Sequence, residues 1–404
     1  MKRTLNVGEL PVASIQPGTL VVAAEFTDPD RGVATCTAAP LLAESLAGVP
    51  VSIGRLAEDA VAGEGVLFAA SFLDRAGRVR GLGVAACRDD PAMLALAEET
   101  MATWVTVLRS RRVLVAAETL CRGGRRALEM AEAATVRPER VFSVGRPVAG
   151  EDEIAHLERS GVAFAGSVAE VPDGAVVVWP AHGAELAEHA QAAARGLEVV
   201  DGTCPLAAGA QANAAAYAAR GDTVVVIGDP SHAVLPVLAA AAGEGAHVVG
   251  SAAEADGLVV PDGSRVSFVV DSAMPVEEAM PIVAALRQRF PALAGHHFDL
   301  LCEHASHQAQ AVRLVVEDSD LVLFMDGADP QAAAGRPARV VAGLADLNAD
   351  LLREAVTVGM VCGPDAARGL RERIVQALAG LGPVTVGHRS VHTSAVKEVV
   401  RATV

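Results

Sequence analysis

Val199-Val200-Asp201-Gly202-Thr203-Cys204-Pro205-Leu206 is the stretch from which the rest of the chain can be read. It reads as the end of a buried strand that delivers a cysteine at its tip and then turns into a helix. Two other stretches have the same shape. Val113-Leu114-Val115-Ala116-Ala117-Glu118-Thr119-Leu120-Cys121 runs into a helical pattern from Arg125 to Ala134. Phe298-Asp299-Leu300-Leu301-Cys302 runs into one from Ala309 to Val316. Three strand-to-helix turns with one cysteine each predict three thiolates aimed at one shared centre.

From Arg112 onward strands and helices alternate. Ala175–Trp179, Thr223–Ile227, Val266–Val270, Leu321–Met325, Ala338–Val341 and Thr357–Val361 are short, continuous, β-branched runs. Such runs fit parallel strands covered on both faces. Helical spacing occupies Glu185–Arg195, Ala208–Ala219, Val276–Phe290, Asp350–Ala355 and Ala366–Leu381. The order predicts α/β units with parallel sheets. Nearly every strand ends in a polar or reactive cluster, among them Pro180-Ala181-His182-Gly183, Gly228-Asp229-Pro230-Ser231-His232, Asp271-Ser272-Ala273, Asp326-Gly327-Ala328-Asp329 and Cys362-Gly363-Pro364-Asp365. Ligands of open α/β sheets bind at those carboxyl ends. The expected division is an N-terminal accessory domain over 1–111, a first α/β unit over 112–197 with Cys121, a second over 198–292 with Cys204, and a third over 293–404 with Cys302 and the tail.

The accessory segment has strand candidates at Thr19–Phe26, Gly65–Phe72 and Val79–Ala86. Helical spacing covers Ala38–Leu46, and a helix over Pro91–Leu108 follows a capping Asp90. No catalytic constellation stands out in it.

With 404 residues, 51% of them apolar but only 3% aromatic, the chain is long enough for several aliphatic cores. The formal charge of −16 excludes nucleic acid and anionic membrane as partners, since both need a basic surface. Met1 to Glu9 contains no apolar signal region, and no apolar run reaches membrane-spanning length, so a cytoplasmic protein is expected. In a reducing cytoplasm the six cysteines are not expected to pair. Cys36 and Cys87 read as small buried hydrophobes. Without a C-x-x-C pair there is no support for a zinc ribbon or thioredoxin chemistry. Cys121, Cys204 and Cys302 leave three readings: unrelated core thiols, a zinc site lacking an evident fourth ligand, or an iron–sulfur cluster with three protein thiolates. Three soft ligands on such a cluster leave one iron free to meet a substrate.

Here the residues resemble a family. The core from Arg112 to Leu381 is similar to 4-hydroxy-3-methylbut-2-enyl diphosphate reductase, the LytB family of isoprenoid biosynthesis. Asp201-Gly202-Thr203-Cys204-Pro205-Leu206 is nearly that family's Asp-Ala-Thr-Cys-Pro-Leu motif. Pro180-Ala181-His182-Gly183 resembles its Ser-Ala-His-Gly, Gly228 to His232 its Gly-His-x-x-His loop, and Ala116 to Ala127 its first cysteine turn more loosely. Leu286-Arg287 and Arg289-Phe290-Pro291 precede Cys302 at the family's spacing. The resemblance implies three pseudo-symmetric α/β units around a central [4Fe-4S] cluster held by Cys121, Cys204 and Cys302. It also implies ferredoxin or flavodoxin as electron donor and an allylic hydroxyl lost as water. His182 and His232 match pocket histidines, and Ser272 matches a threonine that touches the substrate hydroxyl.

The departures gather in the same pocket. Val234 stands where the family's loop carries a glutamate that relays a proton, and valine moves no proton. Arg146 to Glu151 lacks the family's diphosphate-binding His-Asn pair. Pro330-Gln331-Ala332 replaces its Ser-x-Asn, and Gly363-Pro364-Asp365 its Gly-Ala-Ser. Asp326, Asp329 and Asp365 add negative charge where a diphosphate would sit, and like charges a few Å apart repel by about 1 kcal/mol even in water. After Cys302 the chain reads Glu303-His304-Ala305-Ser306-His307, with His307 a candidate replacement proton donor. Thr203, Asp271 and Cys362 complete the expected pocket.

The expected function is a [4Fe-4S] reductase that removes a hydroxyl from a small substrate other than a diphosphate. The alternatives are the isoprenoid-pathway reductase itself and a non-catalytic iron–sulfur carrier or redox sensor.

Overall fold

The computed structural model describes residues 5–56, 64–116, 120–146, 151–230, 232, 234–325, 327–363, 368–392 and 395–401. Two compact units emerge: one formed by 118–310, the other by 1–117 together with 311–404.

The unit 118–310 holds two four-stranded sheets, each wholly parallel. In the first the order is Glu198–Asp201, Val176–Trp179, Val141–Val144, Val162–Ala165. In the second it is His247–Val249, Thr223–Ile227, Val266–Val270, Ala294–Gly295. The central strands are buried at every position of Val176–Trp179 and Val266–Val270, as continuous apolar runs between covering helices should be. Ala279, Ile282, Val283 and Leu286 of the helix Val276–Arg289 pack on the second sheet. Each sheet thus sends its strand ends into loops of fixed position, where the reactive clusters lie.

The other unit combines a mostly antiparallel six-stranded sheet from residues 6–87 with a second six-stranded sheet. The second runs Ala338–Val341, Leu321–Met325, Thr357–Cys362, Arg111–Ala116, Val384–His392, Ala395–Arg401. Its strands are parallel except for the last, which closes an antiparallel hairpin. Here the molecule departs from the sequence reading. Arg111–Ala116, expected to open the first α/β unit, lies between Thr357–Cys362 and Val384–His392. Likewise Glu198–Asp201 belongs to the first sheet and Ala294–Gly295 to the second, so both strands cross the expected boundaries, and Glu198–Asp201, expected to be buried, is an edge strand with Glu198, Val199 and Asp201 exposed. The cause is physical: parallel neighbours are joined by long crossovers, and which strand pairs with which is not written in local sequence. Nor does the accessory segment keep a core to itself. Leu20, Leu41, Leu42 and Trp104 share one cluster with Leu352, Leu378 and Leu381. Gly380 lets its helix touch the backbone at Ala38, and Arg109 donates its N–H to Leu381 O at 3.0 Å.

Cys36 and Cys87 are buried and free, and burial pushes the Cys36 thiol up to about 12. Among the described residues no helix is long and apolar enough to cross a membrane.

Candidate active site

All three singled-out cysteines lie in the unit 118–310, each at the head of a helix. Cys121 caps Arg122–Ala134, and its Sγ accepts the Gly124 N–H at 3.2 Å. Cys204 precedes Pro205–Ala219, whose first residue is a proline with its φ already set for a helix. Cys302 precedes Glu303–Glu317, and its thiol accepts the backbone N–H groups of His304 and Ala305. Helix N-termini present unpaired N–H groups and a partial positive charge, so they favour thiolate.

Two glycines allow the approach. A side chain on Gly202 would collide with the Trp179 carbonyl, to which Gly202 donates its own N–H at 3.1 Å. The next turn is pinned by Cys204 N–H to Ala181 O at 2.8 Å. At Gly123 a β-carbon would stand 2.6 Å from Cys204 Sγ, so the Cys204 thiol rests against the first turn of the helix that Cys121 caps. Cys302 is anchored through its N–H to Ser272 O at 2.7 Å. Its thiol also hydrogen-bonds that of Cys121.

That bond divides the proton between the two. Cys121, supported by Cys302, the Gly124 and Gly123 N–H groups and the His304 charge, drops to about 5 despite its burial. Cys302 moves upward because of Cys121 and burial. The pair therefore carries its first negative charge on Cys121. No group of three or more His, Cys, Asp or Glu side chains among the described residues stands in an arrangement that holds a single metal ion.

The histidines come from the neighbouring strand ends. His182 follows Val176–Trp179, and its carbonyl accepts Gln211 Nε2 at 2.9 Å. Burial, with His232 nearby, lowers it to about 4, so it is neutral at pH 7. His232 follows Thr223–Ile227, and its Nδ1 lies 2.7 Å from Asp271 Oδ2. That bond holds its pKa above the ordinary histidine range. Asp271 and Ser272 are both buried. Thr203 is half-buried; its N–H goes to Asp201 Oδ1 at 2.9 Å and its carbonyl takes Arg126 Nη1 at 3.0 Å. His307 lies half-buried in the second turn of Glu303–Glu317.

Two further pocket candidates lie in the other unit. Cys362 ends its strand half-buried, with Sγ 4.0 Å from Met325 Sδ. Asp329 is exposed and caps a short turn, accepting the Gln331 N–H at 2.9 Å. Asp326 and Asp365 lie outside the described residues, as do Glu118, Thr119 and Ser231. Sequence reasoning passed over Gln211, whose place seven residues beyond Cys204, two helical turns on, is the signal that would have found it. It also passed over His296, which is 7% exposed and whose Nε2 accepts the Val270 N–H at 2.8 Å. A histidine in a short loop gives no such signal.

The chain is similar to known proteins. The family model for LytB protein matches residues 113–379. The 4-hydroxy-3-methylbut-2-enyl diphosphate reductase 2 of Mycobacterium bovis is 32% identical over 314 residues, covering 72% of this chain and 92% of its own. The reductase of the same name from Zymomonas mobilis is 30% identical over 290 residues, 68% of this chain and 84% of its own. The solved E-1-hydroxy-2-methyl-but-2-enyl-4-diphosphate reductase of Plasmodium falciparum aligns with a TM-score of 0.59, covering 70% of this chain and 94% of that one. At 18% identity that likeness speaks for the fold. With a family match over most of its length, and relatives this similar across most of theirs, the chain belongs to the LytB family of reductases.

Proposed function

We propose that Cys121, Cys204 and Cys302 hold a [4Fe-4S] cluster and that the protein reductively removes a hydroxyl group from a small molecule. The observation that carries this reading is the placement of three thiols on three helix N-termini, with Cys204 packed on Gly123 and Cys121 bonded to Cys302. The donor set fits: three soft sulfurs, one already inclined to thiolate, suit iron–sulfur chemistry. When bound, such a cluster supplies single electrons and one iron without a protein ligand. The chain's own residues do the rest. His182, neutral and half-buried, is suited to orient an oxygen by hydrogen bonding. His232, whose protonated form is favoured by its bond to Asp271, offers a proton. The electrons come from a small one-electron carrier such as ferredoxin or flavodoxin, in a cytoplasm that keeps the cysteines reduced.

We assign as substrate a small alcohol without a diphosphate. Val234 is apolar and buried where the family's loop has its proton-relaying glutamate, and the family's neutral diphosphate donors are replaced in sequence. A second reading, the isoprenoid-pathway reaction itself, is favoured by the name that the 32% and 30% identical relatives share. Anaerobic reconstitution followed by iron and sulfide analysis tests the centre. About four of each per chain are expected, and zinc or no metal would overturn it; Cys204→Ser should abolish incorporation. Turnover of the allylic diphosphate at a rate typical of enzymes, about 1–1,000 per second, would select the second reading.

A further inference from the structure

His182 and His232 follow neighbouring stretches of one unit, interact electrostatically, and are pushed in opposite directions. The source of the difference is Asp271. It directly follows Val266–Val270, where every residue is buried, and is itself only 2% exposed. Its N–H continues the ladder to Ile227 O at 2.8 Å. Its Oδ1 accepts the Ala273 N–H at 2.8 Å, which fixes the carboxylate's orientation. Its Oδ2 is left for His232 Nδ1 at 2.7 Å. A carboxylate only accepts, so Nδ1 carries a hydrogen and Nε2 is the imidazole's working nitrogen. The His232 side chain is 45% exposed, so solvent reaches it. The charged or titratable groups acting on it are Asp271 and Asp229, which favour its proton, and His182. Two titratable groups whose surroundings push their pKa values apart mark a donor and an acceptor.

We propose that Asp271 is the positioning residue of a carboxylate–imidazole pair in which His232 Nε2 delivers the proton that takes the substrate's hydroxyl away as water. The inference rests on the reductive reading above. The overall change is R–OH + 2 e⁻ + 2 H⁺ → R–H + H₂O. The C–O bond breaks, and the leaving oxygen takes the Nε2 proton. Two electrons come from the one-electron carrier, and the carbon takes its proton from solvent. Solvent, reaching the exposed imidazole, restores the Nε2 proton. The route needs no carboxylate at position 234, where Val234 is buried.

The test uses the full chain, its histidines labelled with ¹⁵N, as wild type, Asp271→Asn, Asp271→Glu and His232→Gln. Iron content is measured in parallel. In wild type the His232 ring should titrate above the ordinary histidine range. Activity, read as oxidation of a reduced one-electron dye by an unphosphorylated allylic alcohol and by the allylic diphosphate, should fall as pH rises through that same value, because the donor loses its proton. Asp271→Asn should lower the ring's midpoint and carry the basic limb of the pH profile with it, while Asp271→Glu restores part of both. His232→Gln should lower kcat about 10²- to 10⁴-fold at wild-type iron content, the usual loss of a general acid. An unmoved His232 titration in Asp271→Asn overturns the pair. A moved titration with an unmoved basic limb, or full kcat in His232→Gln, overturns the proton delivery. If Asp271→Asn does not fold, Asp271→Glu and His232→Gln decide by the same measures. Wild type without iron defeats the reductive reading, and the ring titration still decides whether the pair exists.

Discussion

Gly123→Ala probes the geometry of the centre most directly. The added carbon would stand 2.6 Å from Cys204 Sγ and 2.8 Å from Cys204 Cβ. Non-bonded carbons rest about 3.5–4.0 Å apart, so something must retreat by roughly 1 Å. Cys204 is poorly placed to do so, since its N–H is tied to Ala181 O and its chain enters a helix at Pro205. Overpacking of this kind costs about 1–3 kcal/mol. Alanine's better helix propensity returns about 1 kcal/mol. The net expectation is a loss of up to about 2 kcal/mol and a displaced thiol. Gly209→Ala is the matched control, because a β-carbon on that helical glycine meets the Leu300 side chain no closer than 3.4 Å, and it should gain up to about 1 kcal/mol. Urea midpoints and iron per chain after anaerobic reconstitution are the assays. Gly123→Ala matching Gly209→Ala in stability, with full iron, would refute the close approach of Cys204 to the Cys121 helix.

Gly202→Ala should cost about 3 kcal/mol or more, because the collision is with the Trp179 backbone carbonyl, which cannot rotate away; differential scanning calorimetry checks it. In the metal-free chain Cys121 should be alkylated by iodoacetamide with a midpoint near pH 5, while Cys36 resists until unfolding, and mass spectrometry resolves the two. His296, lowered to about 4 by burial, binds its proton more weakly folded than unfolded, so it leaves stability unchanged above pH 6.5. As pH falls from 6.5 to 4 it should cost roughly 3 kcal/mol, seen as an acid-side loss of stability that His296→Gln diminishes. His232 has the opposite sign: its contribution is present below its unfolded value and fades as pH rises through the folded one.

The buried strands were the most legible part of the chain. Thr223–Ile227, Val266–Val270 and Leu321–Met325 begin and end where their largely apolar runs do. Short or polar elements were not. Glu151–Ser160 has few apolar residues, and Glu303–Glu317 begins six residues before its periodicity shows, in the polar turn after Cys302. The place of Arg111–Ala116 was hidden because strand neighbours are chosen by packing across long stretches of chain. At the site, cysteines and histidines announced themselves by lying just beyond strands. The bond between Asp271 and His232 joins residues 39 apart, and no spacing rule links them. A buried aspartate after an apolar run reads like any loop opening until the partner is seen.

The shared core of 1–117 and 311–404 bears on how the chain is made. Leu20, Leu41 and Leu42 must wait for Leu352, Leu378 and Leu381. Roughly 310 residues separate Leu42 from Leu352, which at ~5–20 residues per second is about 15–60 s of synthesis. Throughout that interval the nascent amino-terminal portion displays an apolar surface whose cover does not yet exist, while the cysteine-bearing insertion has all of its own sequence and is able to collapse first. Newly made chains should therefore depend on holdase chaperones in proportion to translation time, and slowing the ribosome within 118–310 should raise the aggregated fraction without touching a single contact of the finished molecule.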